Sequence, residues 1–336
     1  MQNPTQVTRS NRLTCKIEKN NTDLFFSLIN YRNNLFISND VKDIMEFYNG
    51  FENREQLIEW MKERPKGANY IHEADGDKSV IVVIPTADFN GEYARNCRDN
   101  IFKGLHMVFV ESGGIGDFYF NYAHNCNVGI KKAMEYNPKW VVVSNDDMHK
   151  IEDISILTKE LSNLNADIVE TVATEPTIYH SIPAVLSKQR FSRVLLFSIT
   201  RTGRSRLRLE KKFHISFFIH LDQRFMRFFF QEGYRHISIT SFGIFSREFC
   251  YKKNGKIYDE TYINAVEDWD VSLEVSLLNQ TKSAKVNYKI GDLIGKSLGT
   301  NEARMYRNFA GYTLLNYKIS ENLHSITKTE FITKAL

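Results

Sequence analysis

The sequence lacks any segment that predicts a membrane span or a secretion signal. No uncharged apolar run approaches the ~18 residues that a bilayer-spanning helix requires, and the most apolar stretch, residues 213–221, is short and contains two histidines. The N-terminal region is polar and has no apolar core of the kind that a signal peptide needs. We therefore expect a cytoplasmic protein, with any membrane contact confined to its surface.

Cysteine, proline and glycine are also scarce. The four cysteines are scattered without a C-x-x-C pair, which favours reduced, structural thiols over a disulfide framework or a zinc site. Six prolines and 17 glycines in 336 residues argue against low-complexity and collagen-like sequence. The hydrophobic fraction of 42% and the charged fraction of 25% are those of a globular protein.

The net charge of +4 conceals an uneven distribution. Residues 188–227 contain eleven basic side chains against two acidic ones, a net charge of +9, which leaves −5 for the rest of the chain. Aromatic residues, 13% of the whole chain, crowd the same stretch. Its apolar residues recur at every fourth position, as one face of a helix requires: Leu209, Phe213, Phe217, Leu221, Phe225 and Phe229.

Three interpretations of this basic-aromatic insert, residues 188–230, stay open. It could be an interfacial helix or flap whose aromatic rings enter lipid headgroups while its basic side chains meet anionic lipid. Equally supported is an ordinary core helix followed by a solvated basic loop. Contact with single-stranded nucleic acid also suits interleaved aromatic and basic residues, and we favour it less.

The first part of the chain predicts a helical extension. Residues 41–48 and 54–63 read as short helices, the second starting with the capping-box pair Asn53 and Gln56 and ending before Pro65. We find no chemistry in this extension.

From residue 79 onward the pattern predicts an α/β fold. Residues 80–84, 105–110 and 140–143 are continuous apolar runs, typical of strands buried on both faces of a parallel sheet. A helical pattern over residues 122–136 separates two of them. Ligands of such sheets bind at the carboxyl ends of the strands, which directs attention to Pro85-Thr86, Glu111-Ser112 and Asn145-Asp146-Asp147.

Two glycine-containing segments resemble phosphate-binding loops but do not match the required patterns. Gly291 and Gly295 precede Lys296-Ser297 as in a Walker A loop, but only three residues separate the glycines where the loop needs four. Gly114 and Gly116 lack the third glycine of a dinucleotide-binding fingerprint.

Two acidic clusters are the stronger signal. Asp146 and Asp147 follow a strand directly, and two carboxylates facing one crevice indicate a cation such as Mg²⁺ or Mn²⁺. The alternative is a pair of acids at the N-terminus of a helix over residues 149–161, and the residues alone do not choose between the two. The second cluster, Asp259 to Asp270, holds five carboxylates in twelve residues, more than helix capping readily explains.

Taken in order, these motifs resemble glycosyltransferase family 2, whose fold is GT-A. The run at residues 80–84 leads into Pro85-Thr86 and then Asn90, like the family's first strand, and Asn145-Asp146-Asp147 stands where the family has its DXD-type acids. The resemblance covers about residues 79–320, interrupted by the basic-aromatic insert, and its end is similar to rhamnosyltransferase-like members. Further matching positions are Asn125, Asn127, Gly129, Ala133, Gly243, Phe245, Gly255, Asp259, Glu260, Glu267, Asp268, Asp270, Arg307, Asn308, Tyr312 and Lys318.

The resemblance implies a role for each of several residues. Those implied in binding a nucleoside-diphosphate sugar are Pro85, Thr86, Glu111, Asn125, Asn145 and Asp146. Those implied in holding Mn²⁺ or Mg²⁺ are Asp146, Asp147 and Asp292, the last in place of a late histidine of many members. Asp268 would be the general base, with Glu267 beside it as the other catalytic candidate.

The implied fold is a GT-A (Rossmann-like), mostly parallel sheet flanked by helices. We expect an N-terminal extension over residues 1–78, a glycosyltransferase domain over 79–320 and a C-terminal tail over 321–336. Within the domain, residues 79–150 would form the nucleotide-sugar half and 240–320 the acceptor half.

The implied activity is metal-dependent, inverting transfer of a hexosyl group to a hydroxyl acceptor on a glycan, lipid-linked molecule or protein. The alternative is a non-catalytic module that binds nucleotide sugars, or an adaptor that binds a membrane or nucleic acid through the insert.

Overall fold

The computed structural model describes residues 27–112, 118–173, 209, 212–213, 241–277, 281–293 and 302–325. The helices of this part of the chain are α1 (27–37), α2 (Val41–Asn49), α3 (Arg54–Glu63), α4 (Glu92–Asn96), α5 (Tyr122–Met134), α6 (Ile154–Ser162), α7 (Arg247–Lys252), α8 (Glu267–Leu277) and α9 (Glu302–Ser325). A π-helical turn, Cys97–Ile101, directly continues α4.

The strands are β1 (Tyr70–Ala74), β2 (Asp77–Thr86), β3 (Leu105–Glu111), β4 (Trp140–Ser144), β5 (Met148–Lys150), β6 (Ile168–Ala173), β7 (Phe242–Ser246) and β8 (Ser283–Asp292). The three apolar runs of the sequence form β2, β3 and β4, and the predicted helices are α2, α3 and α5. Strand β1 and the first residues of β2 precede residue 79, so the extension supplies part of the sheet.

The eight strands form one mixed sheet in the order β1-β3-β2-β4-β7-β6-β8-β5. Strands β3, β2 and β4 are parallel neighbours, as are β6 and β8, whereas the other four pairings are antiparallel. The prediction of an α/β fold is confirmed, but that of a mostly parallel sheet is not. An apolar run indicates that a strand is buried on both faces. It does not indicate whether the strand runs parallel or antiparallel to its neighbours.

Helices cover both faces of this sheet. On one face, α5 and α7 pack on the side chains of β2, β3 and β4 that point towards them. Gly129 permits the close approach of α5, since a Cβ atom at this position would lie 2.3 Å from Cγ1 of Val83. On the other face, α4, its π-helical turn and α6 cover the alternate residues of the same strands.

A third core joins the beginning of the chain to its end. Helices α2 and α3 pack against α9 around Phe47, Trp60 and Phe309. The buried hydroxyl of Tyr48 donates a 2.8 Å hydrogen bond to the carbonyl of Tyr306. The extension is therefore packed on the C-terminal helix.

Two positions of the basic-aromatic insert belong to this third core. Leu209 and Phe213 are buried there, and the Phe213 ring lies 5.7 Å from that of Tyr48. The amino group of Lys212 donates to the Tyr48 carbonyl at 3.0 Å. The core interpretation is thus confirmed for these two apolar positions, while Phe217, Leu221, Phe225 and Phe229 lie outside the described residues. Within the described residues, no helix is both long and apolar enough to span a membrane.

Candidate functional site

The first acidic cluster lies where parallel strands β2 and β4 end side by side. The hydroxyl of Thr86, the last residue of β2, donates a 2.8 Å hydrogen bond to Oδ2 of Asp146, and both side chains are buried. Burial raises the pKa of the Asp146 carboxyl to about 6; the Thr86 hydrogen bond opposes this shift, and the charge of Asp147 adds to it. Two of the strand-end candidates are therefore in direct contact.

The helix-terminus explanation of Asp146 and Asp147 is wrong. The two acids are followed by strand β5, and helix α6 begins only at Ile154. The residue that caps α6 is Asp153, whose side chain accepts a hydrogen bond from the Ser155 N–H. Asp146 and Asp147 therefore do not lie at the N-terminus of α6.

Asp292 lies beside Asp147 although 145 positions separate them in the sequence. Strands β5 and β8 are antiparallel, with Met148 opposite Asp292. The N–H of Leu293 donates a 2.9 Å hydrogen bond to the Asp147 carbonyl. Backbone pairing thus brings the main chains of Asp147 and Asp292, two of the three residues implied in metal binding, next to each other.

The presence of glycine at position 291 is explained by the space that the neighbouring strand requires, and not by a phosphate-binding loop. Gly291 lies within β8 directly opposite His149 of β5, and a Cβ atom at position 291 would come within 1.8 Å of the His149 ring. The glycine leaves room for the imidazole ring next to the Asp147–Asp292 pair. Being part of a paired strand, it cannot belong to a phosphate-binding loop.

The second acidic cluster starts helix α8, with Glu267, Asp268 and Asp270 in its first turn. Glu267 is 7% exposed, and its Oε2 atom has no hydrogen-bond partner among the described residues. Burial raises the pKa of both Glu267 and Asp268; the charge of Asp268 adds to the shift of Glu267, and that of Asp292 to the shift of Asp268. Asp268 therefore lies within electrostatic range of Asp292, and Glu267 within that of Asp268.

Tyr122 links the two clusters. Its phenol hydroxyl donates a 2.6 Å hydrogen bond to Oδ1 of Asn145. Burial raises the pKa of this phenol well above its usual value, and the charge of Glu267 contributes to the shift. Tyr122 thus contacts Asn145 directly and lies within electrostatic range of Glu267, a role that its position at the start of a helical pattern did not indicate.

Helix α5 also positions the second cluster. The Asn127 amide donates to the Tyr258 carbonyl at 2.8 Å and accepts from the Tyr258 N–H at 3.1 Å. Its Nδ2 atom lies 3.0 Å from Glu260, which also contacts His124 at 3.0 Å. Asn125, implied in donor binding, is buried two residues earlier, and its Nδ2 atom has no hydrogen-bond partner among the described residues.

The residues predicted to hold the nucleotide base lie at the ends of β2 and β3, where Pro85 pairs with Val110 and Thr86 with Glu111. Glu111 contacts Nε2 of His72 on β1 at 2.6 Å. The His72 ring stacks on Phe89, with centroids 4.4 Å apart. Sequence reasoning missed His72 because β1 has no apolar run to mark it as a strand, so nothing placed it opposite Glu111.

The described residues contain no group of three or more His, Cys, Asp or Glu side chains close enough together to hold a metal ion. Carboxylate oxygens from Asp147 and Asp292 are hard ligands of the type that Mg²⁺ and Mn²⁺ accept. Mg²⁺ commonly takes only one or two protein carboxylates and fills its shell with substrate phosphates and water. Such a cation would thus need ligands from a bound substrate.

Comparison of the chain with protein-family models, curated proteins and solved structures finds no match. The function of the chain is therefore inferred from the geometry of the site.

Proposed function

We propose that this protein is a metal-dependent glycosyltransferase with a GT-A-type domain, using a nucleoside-diphosphate sugar as donor. The observation that supports the proposal is that three distant segments bring acidic residues near one another. Asp292 at the end of β8 pairs through its strand beside Asp147 after β4, and its charge helps to raise the pKa of Asp268 at the start of α8. Such a concentration of negative charge is costly without a cation or a proton to offset it.

The order of the strands supports a donor site beside this cluster. The carboxyl ends of β3, β2 and β4 are adjacent, and they present Glu111, Thr86 and Asp146 along one edge of the sheet. Polar groups at this edge are where α/β sheets bind nucleotides. We assign the base to the side of Glu111 and His72, and the diphosphate to the side of Asp146 and Asp147.

Asp147 and Asp292 would hold the divalent cation together with the donor's phosphate oxygens. When bound, the cation offsets the negative charge that develops on the leaving diphosphate. Thr86 holds Asp146 in one orientation through its buried hydrogen bond, and Tyr122 does the same for Asn145. These two contacts keep the donor side of the site preorganised.

Asp268 would accept the proton of the acceptor hydroxyl as the oxygen attacks the sugar. The C–O bond to the acceptor forms as the bond to the diphosphate breaks, and a single displacement inverts the anomeric carbon. General-base assistance of this kind contributes about 10²–10⁴-fold to rate. The carboxyl of Glu267 directly precedes Asp268 in the chain. Its pKa is raised by burial and by the charge of Asp268.

The test is a transfer assay with a panel of nucleoside-diphosphate sugars and Mn²⁺ or Mg²⁺, paired with thermal-shift measurements on the same samples. A specific donor should raise the melting temperature by mass action and be consumed only when metal is present. Binding without turnover on any hydroxyl acceptor would support the non-catalytic module. Full activity in excess chelator would refute the metal assignment, and no response to any donor would refute the proposal itself.

A further inference from the structure

A second polar site adjoins the second acidic cluster, and Asp259, Glu260 and Asp270 belong to both. A cleft of about 420 Å³ lies between the end of α3, the segment joining α7 to α8, the first turns of α8, and α9. Its lining contains none of the residues implied in donor or metal binding. Five lysines line it, together with four carboxylates: Lys62, Lys66, Lys253, Lys256 and Lys318, with Asp259, Glu260, Asp270 and Glu274.

Two of these lysines are already neutralised. The amino group of Lys318 lies 2.5 Å from Asp259 and 2.6 Å from Asp270, and its pKa is raised because these two charges outweigh its burial. Lys253 is paired with Glu274. These pairs account for three of the four carboxylates of the cleft.

The fourth carboxylate is held by other partners. Glu260 contacts Nδ1 of His124 at 3.0 Å and accepts a 3.0 Å hydrogen bond from the Asn127 amide. These contacts lower the pKa of Glu260 to about 2, with His124 the largest cause. Its direct contacts are therefore made with α5, while its negative charge also acts on Lys256 and Lys66 of the cleft.

Two lysines of the cleft form no direct ion pair within the described structure, although the charge of Glu260 acts on both. Neither Lys66 nor Lys256 forms an ion pair with a carboxylate among the described residues, whereas Lys62 contacts Glu59 at 3.4 Å. The amino group of Lys66 donates a 3.2 Å hydrogen bond to the Arg64 carbonyl. Burial lowers the pKa of Lys66 and the Arg64 guanidinium adds to this effect, while the charges of Glu260 and Asp259 partly oppose it. An incoming anion would stabilise the charged form of an ammonium group that is partly desolvated and lies beside a second cation.

We propose that this lysine cleft is a binding site for a small phosphorylated ligand, whose phosphoryl group is held by Lys66 and Lys256. Lysine ammonium groups are compact point charges that bind phosphate well. The volume lies in the range of small-molecule sites and exceeds what one phosphate needs, so the cleft has room for the organic part of the ligand. A folded polymer such as duplex nucleic acid fits this volume poorly.

The first test is calorimetric titration of the full chain with inorganic pyrophosphate in excess chelator. The chelator removes any metal-dependent contribution from the proposed donor site, so the result does not depend on the glycosyltransferase assignment. We expect Lys66→Gln/Lys256→Gln to weaken binding about tenfold or more, as the loss of charged hydrogen bonds predicts. The matched control, Lys132→Gln, removes an ion-paired lysine on α5 and should leave affinity unchanged.

The second test needs no variant. Acetylation of the wild-type chain, mapped by mass spectrometry with and without pyrophosphate, should give protection at Lys66 and Lys256 and none at Lys132. Equal affinity in the double variant, absence of binding to the wild type, or protection spread evenly over surface lysines would each overturn the proposal.

Discussion

Thr86 and Asp146, 60 residues apart in the chain, are joined by a buried 2.8 Å hydrogen bond between the threonine hydroxyl and the Oδ2 atom of the aspartate. The bond forms because β2 and β4 are parallel neighbours whose carboxyl ends coincide. It fixes one carboxylate of the acidic cluster and lowers the cost of burying it.

Replacing this hydroxyl should weaken both the fold and the site. We expect Thr86→Val to reduce the free energy of unfolding by about 1–3 kcal/mol, because it leaves a buried carboxylate with one fewer hydrogen bond. Urea denaturation measures the loss, and Thr86→Ser, which retains the hydroxyl, should be close to wild type. Equal stability of the valine and serine variants would show that the bond contributes nothing measurable.

The proposed roles of Asp147 and Asp268 differ in a way that kinetics and binding can separate. Asp147→Asn should abolish metal-dependent stabilisation by the donor, whereas Asp268→Asn should retain donor binding and lose about 10²–10⁴-fold in transfer rate. Thermal shift measures the first effect and the transfer assay the second. The control is Asp99→Asn, which changes a carboxylate that is 65% exposed. Substantial transfer by Asp268→Asn would assign the base to another group, with Glu267 as the next candidate.

Gly291 and His149 should behave as a coupled pair. Gly291→Ala forces a methyl group into the imidazole ring, and overpacking of this kind costs about 1–3 kcal/mol. The double variant Gly291→Ala/His149→Ala should recover most of that loss, since the smaller side chain at position 149 removes the clash. Additive losses in a double-mutant cycle would mean that the glycine is needed for its backbone and not for the space it leaves.

Glu260 should give the fold a measurable acid dependence. Its contacts with His124 and Asn127 lower the pKa of its carboxyl to about 2 from 4.5. A lowered folded-state pKa contributes stability that is fully present above the unfolded pKa and is lost as the pH falls through the folded one. The wild type should therefore be more stable than Glu260→Gln at pH 7.

That advantage should shrink as the pH falls from about 4.5 towards 2. Chemical denaturation at a series of pH values measures the difference. Glu63→Gln, at an exposed position at the end of α3, provides the control and should show no comparable trend. A pH-independent gap between wild type and Glu260→Gln would indicate that the charge of Glu260 is not what stabilises the fold.

Local features could be predicted well from the sequence. The β-branched run ending at Pro85 has to be buried on both faces, so a central strand follows from its composition. The cap at Asn53 was also predictable, and its side chain accepts the Gln56 N–H at 3.0 Å. The second hydrogen bond of the capping box differs from the expected one. The Gln56 side chain accepts from the N–H of Glu52 and not from that of Asn53.

The functional site was predictable only in part. Residues directly after strands were identified because strand ends are marked by the end of an apolar run, as with Asp146. His72 was not, since a short edge strand of mixed polarity leaves no such mark. The interpretation of Asp146 and Asp147 as a helix start failed because β5 is only three residues long, too short for its alternation to stand out.

The sequence by itself determined the central strands β2, β3 and β4, the helices α2, α3 and α5, and the acids that follow a strand, because burial pattern and capping are local properties. Only the tertiary structure decided that β7 runs antiparallel between β4 and β6, that β5 pairs with β8, and that Asp147, Asp268 and Asp292 share one region. Strand direction and long-range pairing depend on how the layers pack together. A one-dimensional pattern of apolar residues does not encode that packing.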